Sequence, residues 1–507
     1  MKSRVSHGRA MLAGLGAASP RAALGLALLS GSAGLAAAQT TPPAEAPAPP
    51  APNAPTPAPE APATPEAQPP DQGGAPSHQG GLWERDLLTG DWDGWRSRLE
   101  QQGVQLGVNY IGEVLGNPTG GIRQGAIYED RFEMYTTIDL EKAVGWSGAT
   151  FHANAYHIDG RGLTANNLDN LLIASNIEAT RSSRLFDLWL QQDLFEGKLQ
   201  VRAGQIAADD EFFISQYATI FVNSTFGWPG ILATDLPSGG PAYPLATPGV
   251  RFKITPSEEF SVLAAVFNGD PAGAGTGDPQ QRDASGTSFR FSDGAFAIVE
   301  GDYGINQAKD ATGLPGTYKL GGWYHGGRFA DQRFDNTGLS LANPASTGVP
   351  ALHNGNYGIY AVADQLVWRQ GDSGDQGLGV FARLSGSPAD RNLISFYADA
   401  GVTYKGLIPG RDSDVLGLGI AYAKISSDAA DRDRDAQSFG NPGHPVRDFE
   451  TAIELTYQVQ LAPWWTVQPD LQYIIHPGGN IVNPNTPSSN RPIPDAFVAG
   501  LRMTVSF

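Results

Sequence analysis

Between Arg202 and Trp228 the chain gathers one guanidinium, three successive carboxylates and several rings and hydroxyls. The run reads Arg202-Ala203-Gly204-Gln205, then Asp209-Asp210-Glu211-Phe212-Phe213, then Ser224-Thr225-Phe226-Gly227-Trp228. This set suits recognition of an uncharged polyhydroxyl solute. A hydroxyl can donate to a carboxylate while accepting from a guanidinium, and a ring can cover the apolar side of a sugar. Further candidates for the same surface are Arg131, Glu133, Trp189, Arg251, Lys253, Glu454, Asp470 and Arg502. Trp189 shares its alternation phase with Asp187 and Gln191, which marks it as a stacking ring on a polar wall. For any single residue, the simpler account is that these charges only satisfy one another.

Catalytic and cofactor chemistry finds little support. The chain has no G-x-S-x-G, H-E-x-x-H, P-loop or dinucleotide fingerprint. It has no cysteine, so disulfides, thiol nucleophiles and thiolate metal sites are excluded, and its eight histidines lack ligand spacing. Asp431-Arg432-Asp433-Arg434-Asp435 imitates the start of a calcium loop. Ala436 stands where the turn needs glycine, and Pro442 where the bidentate acid belongs, so the stretch reads as a solvated loop. No enzyme, metal or cofactor is expected.

The elements that must position the charges are strands. The final run offers Phe497, Ala499, Leu501, Met503, Val505 and Phe507 on one phase and Val498, Gly500, Arg502, Thr504 and Ser506 on the other. At about ten residues it is long enough to cross a bilayer as a tilted strand. A single such strand cannot survive in lipid with open edges, so the chain must supply enough partners to close a barrel. Sixteen candidates centre on 104–114, 131–140, 149–157, 185–194, 198–206, 248–254, 260–267, 294–306, 318–325, 357–368, 378–385, 393–405, 415–425, 449–461, 465–475 and 495–507. Gln200 and Arg202 share one phase of the fifth, with Leu199, Val201 and Ala203 on the other. Arg202 therefore points inward, because an arginine facing lipid near mid-depth costs ~2–4 kcal/mol. Pro469 sits awkwardly inside its strand.

The connections alternate in length. Tight turns follow the second, fourth, sixth and fourteenth strands, and long stretches follow the third, fifth, seventh, ninth, thirteenth and fifteenth. The connection after the eighth is longer than this rule wants. One rim with turns and one with loops is the plan of an outer-membrane barrel. An even count puts both ends of the barrel on the turn side, which is periplasmic. Trp146, Trp323, Tyr324, Trp368, Trp464, Trp465 and Tyr473 lie at strand ends, as aromatic girdles require.

Composition agrees. Hydrophobic residues make up 41% and no long apolar run follows the amino terminus, which excludes a helical membrane bundle. Lys2, Arg4, Arg9 and Arg21 precede an apolar core at 22–29 and an Ala36-Ala37-Ala38 site before Gln39, so residues 1–38 read as a secretory signal. Residues 41–76 hold 14 of the 38 prolines, so 39–80 reads as a disordered tether. A short helical segment, 81–103, with Asp91 or Asp93 as its cap and Gly103 as its end, leads into the barrel at 104–507. The net charge of −18 argues against nucleic acid.

Specific stretches carry a family resemblance. These are Gly90-Asp91-Trp92-Asp93-Gly94-Trp95-Arg96-Ser97-Arg98-Leu99, Val201-Arg202-Ala203-Gly204-Gln205 and the run 314–324. Strongest is Glu454-Leu455-Thr456-Tyr457-Gln458-Val459-Gln460-Leu461-Ala462-Pro463-Trp464, continuing through 468–479. From about Leu88 to Phe507 the sequence resembles the carbohydrate-selective porins of the OprB family. The resemblance implies an all-β fold: a transmembrane antiparallel barrel of sixteen strands with charged residues lining a constriction. It also implies passive passage of mono- and small oligosaccharides. Expected partners are small neutral carbohydrates and outer-membrane lipid, and a homo-oligomer is compatible with the sequence. Alternative classes are an envelope structural or binding barrel, a less selective general porin and, with least support, a barrel enzyme. The proline-rich tether and the acidic balance depart from the family picture.

Overall fold

The structure, a computed structural model, describes residues 78–308, 311–371 and 376–507. The signal and nearly all of the tether lie outside the described residues. Sixteen strands follow one another: β1 Val104–Thr119, β2 Gly125–Asp139, β3 Ala149–Gly160, β4 Ser182–Leu194, β5 Leu199–Ile206, β6 Thr247–Ile254, β7 Phe260–Asn268 and β8 Ala295–Ile305. They continue with β9 Gly316–Asp335, β10 Pro350–Arg369, β11 Gly377–Gly386, β12 Ile394–Lys405, β13 Val415–Ile425, β14 Phe449–Ala462, β15 Trp465–Ile475 and β16 Ala496–Ser506. Each pairs antiparallel with its neighbours, and β16 returns to β1 to close the barrel. All sixteen sequence-predicted strands occur. β9 and β10 are the longest, at 20 residues each.

Alternation sorts the two faces. On β16, Leu501 and Met503 are exposed outward while Val498 and Arg502 are buried; on β6, Phe252 and Ile254 are exposed and Arg251 is buried. Closure is sealed inside by Arg502 Nε donating to Glu113 Oε2 at 2.6 Å, from directly paired positions of β16 and β1. Pro469 lies within β15, facing Leu501 of β16. The pairing with β14 is interrupted there, between Thr456↔Asp470 and Val459↔Val467, because proline has no N–H to give the ladder.

Connections after odd-numbered strands include 161–181, 207–246, 269–294, 426–448 and 476–495, and those after even-numbered strands include 195–198, 255–259 and 463–464. Two odd connections, 120–124 and 387–393, are short as well, so the segregation is a strong tendency. The entry helix α1 is shorter than the sequence suggests, Trp95–Gln101. Asp93 takes a left-handed φ of 55° and does not cap it; Asp91 Oδ1 accepts from Ser97 N and Oγ at 2.9 and 2.8 Å. His78, inside the expected tether, already bonds Glu100 at 2.9 Å and Asp86 at 3.0 Å.

Two expectations are corrected. The solvated loop at 431–435 belongs to a twelve-residue helix, Ser427–Ser438, capped by Ser426 Oγ. Its acids are paired: Asp431 and Asp435 hold Arg333 at 2.9 Å each, and Asp433 holds Arg447 at 2.8 Å. The serine cap was legible, but the acidic run masked it. Trp323 is no girdle residue. Its alternation phase turns it inward, where it is 4% exposed, while Tyr324 beside it is 53% exposed on the outside.

Candidate functional site

The connection 207–246 follows β5 and folds into the barrel. Lumen side chains hold its backbone. Phe213 N donates to Glu300 Oε2 (2.8 Å), Gln216 N to Asp364 Oδ2 (3.0 Å), and Val222 N and Asn223 N to the two oxygens of Glu454 (2.6 and 2.9 Å). Arg383, fully buried, donates to the carbonyls of Phe213, Thr225 and Gly227 and pairs with Asp399 at 2.6 Å. Each buried charge thus finds the partners without which its desolvation would be costly. Rings fill the space between: Phe213 stacks on Tyr360 at 4.2 Å, and Phe221 packs on Phe226 at 4.4 Å. Asp235, at the end of the short helix Gly230–Asp235, accepts from Leu393 N and Ile394 N at 3.0 and 3.2 Å. Burial pushes its carboxyl well above the usual range.

The start of the same connection turns onto the wall made by β2–β6. Glu211 sits between two guanidiniums, 2.9 Å from Arg202 Nη1 and 2.8 Å from Arg251 Nε. Gln191 Oε1 accepts from both arginines, at 3.1 and 3.2 Å. The Arg202 guanidinium lies 3.8 Å over the Trp189 ring, which stacks on His152 at 4.9 Å; His152 in turn stacks on Tyr135 at 6.0 Å. A row of rings therefore crosses β2, β3 and β4 and ends on Arg202. Trp189 is already stacked within it. Arg131 lies over Tyr156 and Tyr243 and 3.8 Å from Glu133, which accepts from Asn154 at 2.7 Å and Asn109 at 3.2 Å. Asp209 accepts from Tyr243 N at 2.9 Å, and Asp210 is half-buried beside it.

Five of the sequence-selected residues thus meet around one cluster: Arg202, Glu211, Arg251, Trp189 and, next to Arg251 on the inward phase of β6, Lys253. Arg131, Glu133 and Asp209 form a neighbouring group. Glu454 and Asp470 lie elsewhere, 0% and 1% exposed, one clamping the inward connection and the other accepting from Gln472 at 2.9 Å. Arg502 closes the seam with Glu113 and reaches Ser175 of connection 161–181 at 3.3 Å. Sequence reasoning missed Glu300, Asp364, Arg383, Asp399 and Glu450, the last of which accepts from Leu171 N and Leu172 N at 2.8 and 2.7 Å. A signal existed for each: a charge inside a membrane-length strand has to face the lumen.

A closed sixteen-stranded barrel, apolar outside and charged inside, with one long connection folded into the lumen, is a transmembrane porin of the outer membrane. The chain belongs to the carbohydrate-selective porin, OprB family, which residues 123–507 match; it is a sugar channel and not an enzyme. It is 29% identical to Porin B of Pseudomonas aeruginosa over 83% of this chain and 91% of that protein. It is 24% identical to the putative porin QuiX of Acinetobacter baylyi over 84% and 94%. The high-pH structure of Pseudomonas putida OprB superposes with a TM-score of 0.73 at 26% identity, covering 84% of this chain and 99% of that one.

Proposed function

We propose that mono- and small oligosaccharides, uncharged and moving passively, are selected at the Arg202–Glu211–Arg251 cluster. The observation that carries this reading is the position of Glu211, brought by the inward connection to within 2.9 Å of two arginines on neighbouring strands. A sugar hydroxyl passing there donates to one partner and accepts from the other, replacing water with weak, successive hydrogen bonds. Trp189, the rest of its ring row and Lys253 extend the same polar and aromatic wall. Two guanidiniums share the one Glu211 carboxylate, so donors and an acceptor stand side by side for a neutral solute and the cluster stays locally basic in a chain of net charge −18. The turn rim and both ends of the barrel face the periplasm, after removal of residues 1–38, and residues 39–80 act as a spacer. The test is single-channel recording in planar bilayers with glucose or maltose as blocker, comparing the protein with Arg202→Ala. A wider, less sugar-sensitive pore supports the reading; unchanged conductance and block place selection elsewhere in the barrel.

A further inference from the structure

The outer face of the barrel carries a basic notch that the sugar path does not use. Strand β3 stops at Gly160, which pairs with Glu129, whereas β2 begins at Gly125. Residues 125–128 of β2 therefore run on beyond the end of β3 without a partner strand on that side. The step opens a cavity of about 650 Å³, whose lining includes Arg123, Arg161, Arg181, Tyr128, Asn167 and Asp159. The three arginines come from three segments: the connection 120–124, the residue after β3 and the residue before β4.

The notch faces outward. Tyr128 is 49% exposed while its neighbours Ile127 and Glu129 are buried inward, and Asp159 lies on the outward phase of β3. Below the notch the Tyr128 hydroxyl bonds that of Tyr110, and Tyr110 also donates to Asp130 at 3.3 Å. Tyrosines on a lipid-facing wall mark the headgroup level. Of the charges facing the notch, Asp159 is paired with Arg181 at 3.1 Å, and Asn167 accepts from Arg123 at 3.2 Å. Asp130, lower on the same wall, is held by the tyrosine. Three guanidiniums against one paired carboxylate leave a positive site on a chain of net charge −18.

We propose that this notch binds the phosphate groups of a phosphorylated glycolipid headgroup in the leaflet at the long-connection rim. Arginine forks match phosphate oxygens bidentately, and a headgroup seated there leaves its acyl chains against the outward face of β2 further from the rim, where Met134 is 53% exposed. A free anion has the same attraction to the arginines but no use for the apolar wall.

The test is native mass spectrometry of the detergent-solubilised full chain titrated with bisphosphorylated lipid A, with its dephosphorylated form and with inorganic phosphate as competitor. It requires neither sugar selectivity nor a particular orientation in the membrane, so its outcome is independent of the function proposed above. Lipid A is expected to bind about tenfold more weakly after dephosphorylation or in the triple variant Arg123→Ala, Arg161→Ala, Arg181→Ala, and with intermediate affinity in the triple Arg→Lys variant, which keeps the charges and loses the forks. Folding of each variant is checked by heat-modifiable gel mobility, and sugar-blocked conductance is expected unchanged. Equal binding by the dephosphorylated lipid or by the folded alanine variant overturns the proposal. Displacement by millimolar inorganic phosphate overturns the lipid source and leaves a free-anion site.

Discussion

Arg251 Nε lies 2.8 Å from Glu211 Oε2, and the two side chains are 1% and 5% exposed. Arg202, on the next strand, reaches the same carboxylate with 13% of its side chain still open. The two arginines therefore have different duties. Arg251 neutralises a buried charge and fixes the inward connection, and Arg202 presents the edge of the cluster to the lumen.

Arg251→Ala is expected to cost the barrel about 3 kcal/mol or more, because it leaves Glu211 buried with one partner. Arg202→Ala is expected to cost less and to act mainly on sugar block. Unfolding of both variants by guanidinium, followed by gel mobility, measures the difference alongside bilayer recordings. Equal destabilisation with equal loss of block contradicts the division.

Glu454 accepts from two successive backbone N–H groups, Val222 and Asn223. Glu454→Ala leaves both buried and unpaired, at about 1–3 kcal/mol each. The inward connection is expected to loosen locally, giving higher mean conductance and more open-channel noise while the sixteen-stranded barrel persists. Glu454→Gln keeps one acceptor and is expected to fall between. A quiet, normally sized channel in Glu454→Ala shows that the other anchors, Arg383 and Asp364, suffice.

Asp235 supplies a pH dependence. Its carboxyl is raised in the folded protein above the unfolded value of about 3.9. The folded state keeps a proton that the unfolded chain releases, so this contribution is full below pH ~4 and declines as pH rises toward the folded value. The slope is at most ~1.4 kcal/mol per pH unit. Asp235→Asn keeps a carbonyl acceptor for Leu393 and Ile394 without titrating. The variant is therefore expected to gain stability relative to the parent as pH rises from 4, measured as the temperature of the gel-mobility shift. Parallel pH profiles refute the assignment.

The fold was legible because two constraints act on every strand. Lipid demands an apolar phase, and closure demands continuous pairing, so even Arg202 could be assigned a direction from Leu199 and Val201 alone. The site was legible only in part. Arg202 and Glu211 are close in sequence, and their meeting follows from one inward fold. The clamps Glu300, Asp364, Arg383 and Glu454 join strands to a connection up to 232 residues away in sequence, as Glu454 does with Val222. Phase alone turns these charges into the lumen, but no local pattern says which backbone groups of the connection they meet. Trp323 and the 427–438 helix were misjudged for a related reason: phase and capping were outweighed by residue type.

The orientation of the two rims yields the last prediction. Connections 161–181, 207–246 and 426–448 leave one rim, and 195–198, 255–259 and 463–464 leave the other. The orientation proposed above puts the long connections outside the cell and the turns in the periplasm, as in other outer-membrane barrels. The absence of cysteine makes single-site labelling clean. Ala345→Cys, exposed in connection 336–349, and Lys198→Cys, exposed in the turn 195–198, report the two rims. In intact cells a membrane-impermeant maleimide is expected to label Ala345→Cys and to leave Lys198→Cys unlabelled until the outer membrane is permeabilised. The reverse pattern inverts the barrel, and it moves the basic notch at Arg123, Arg161 and Arg181 to the periplasmic leaflet with it.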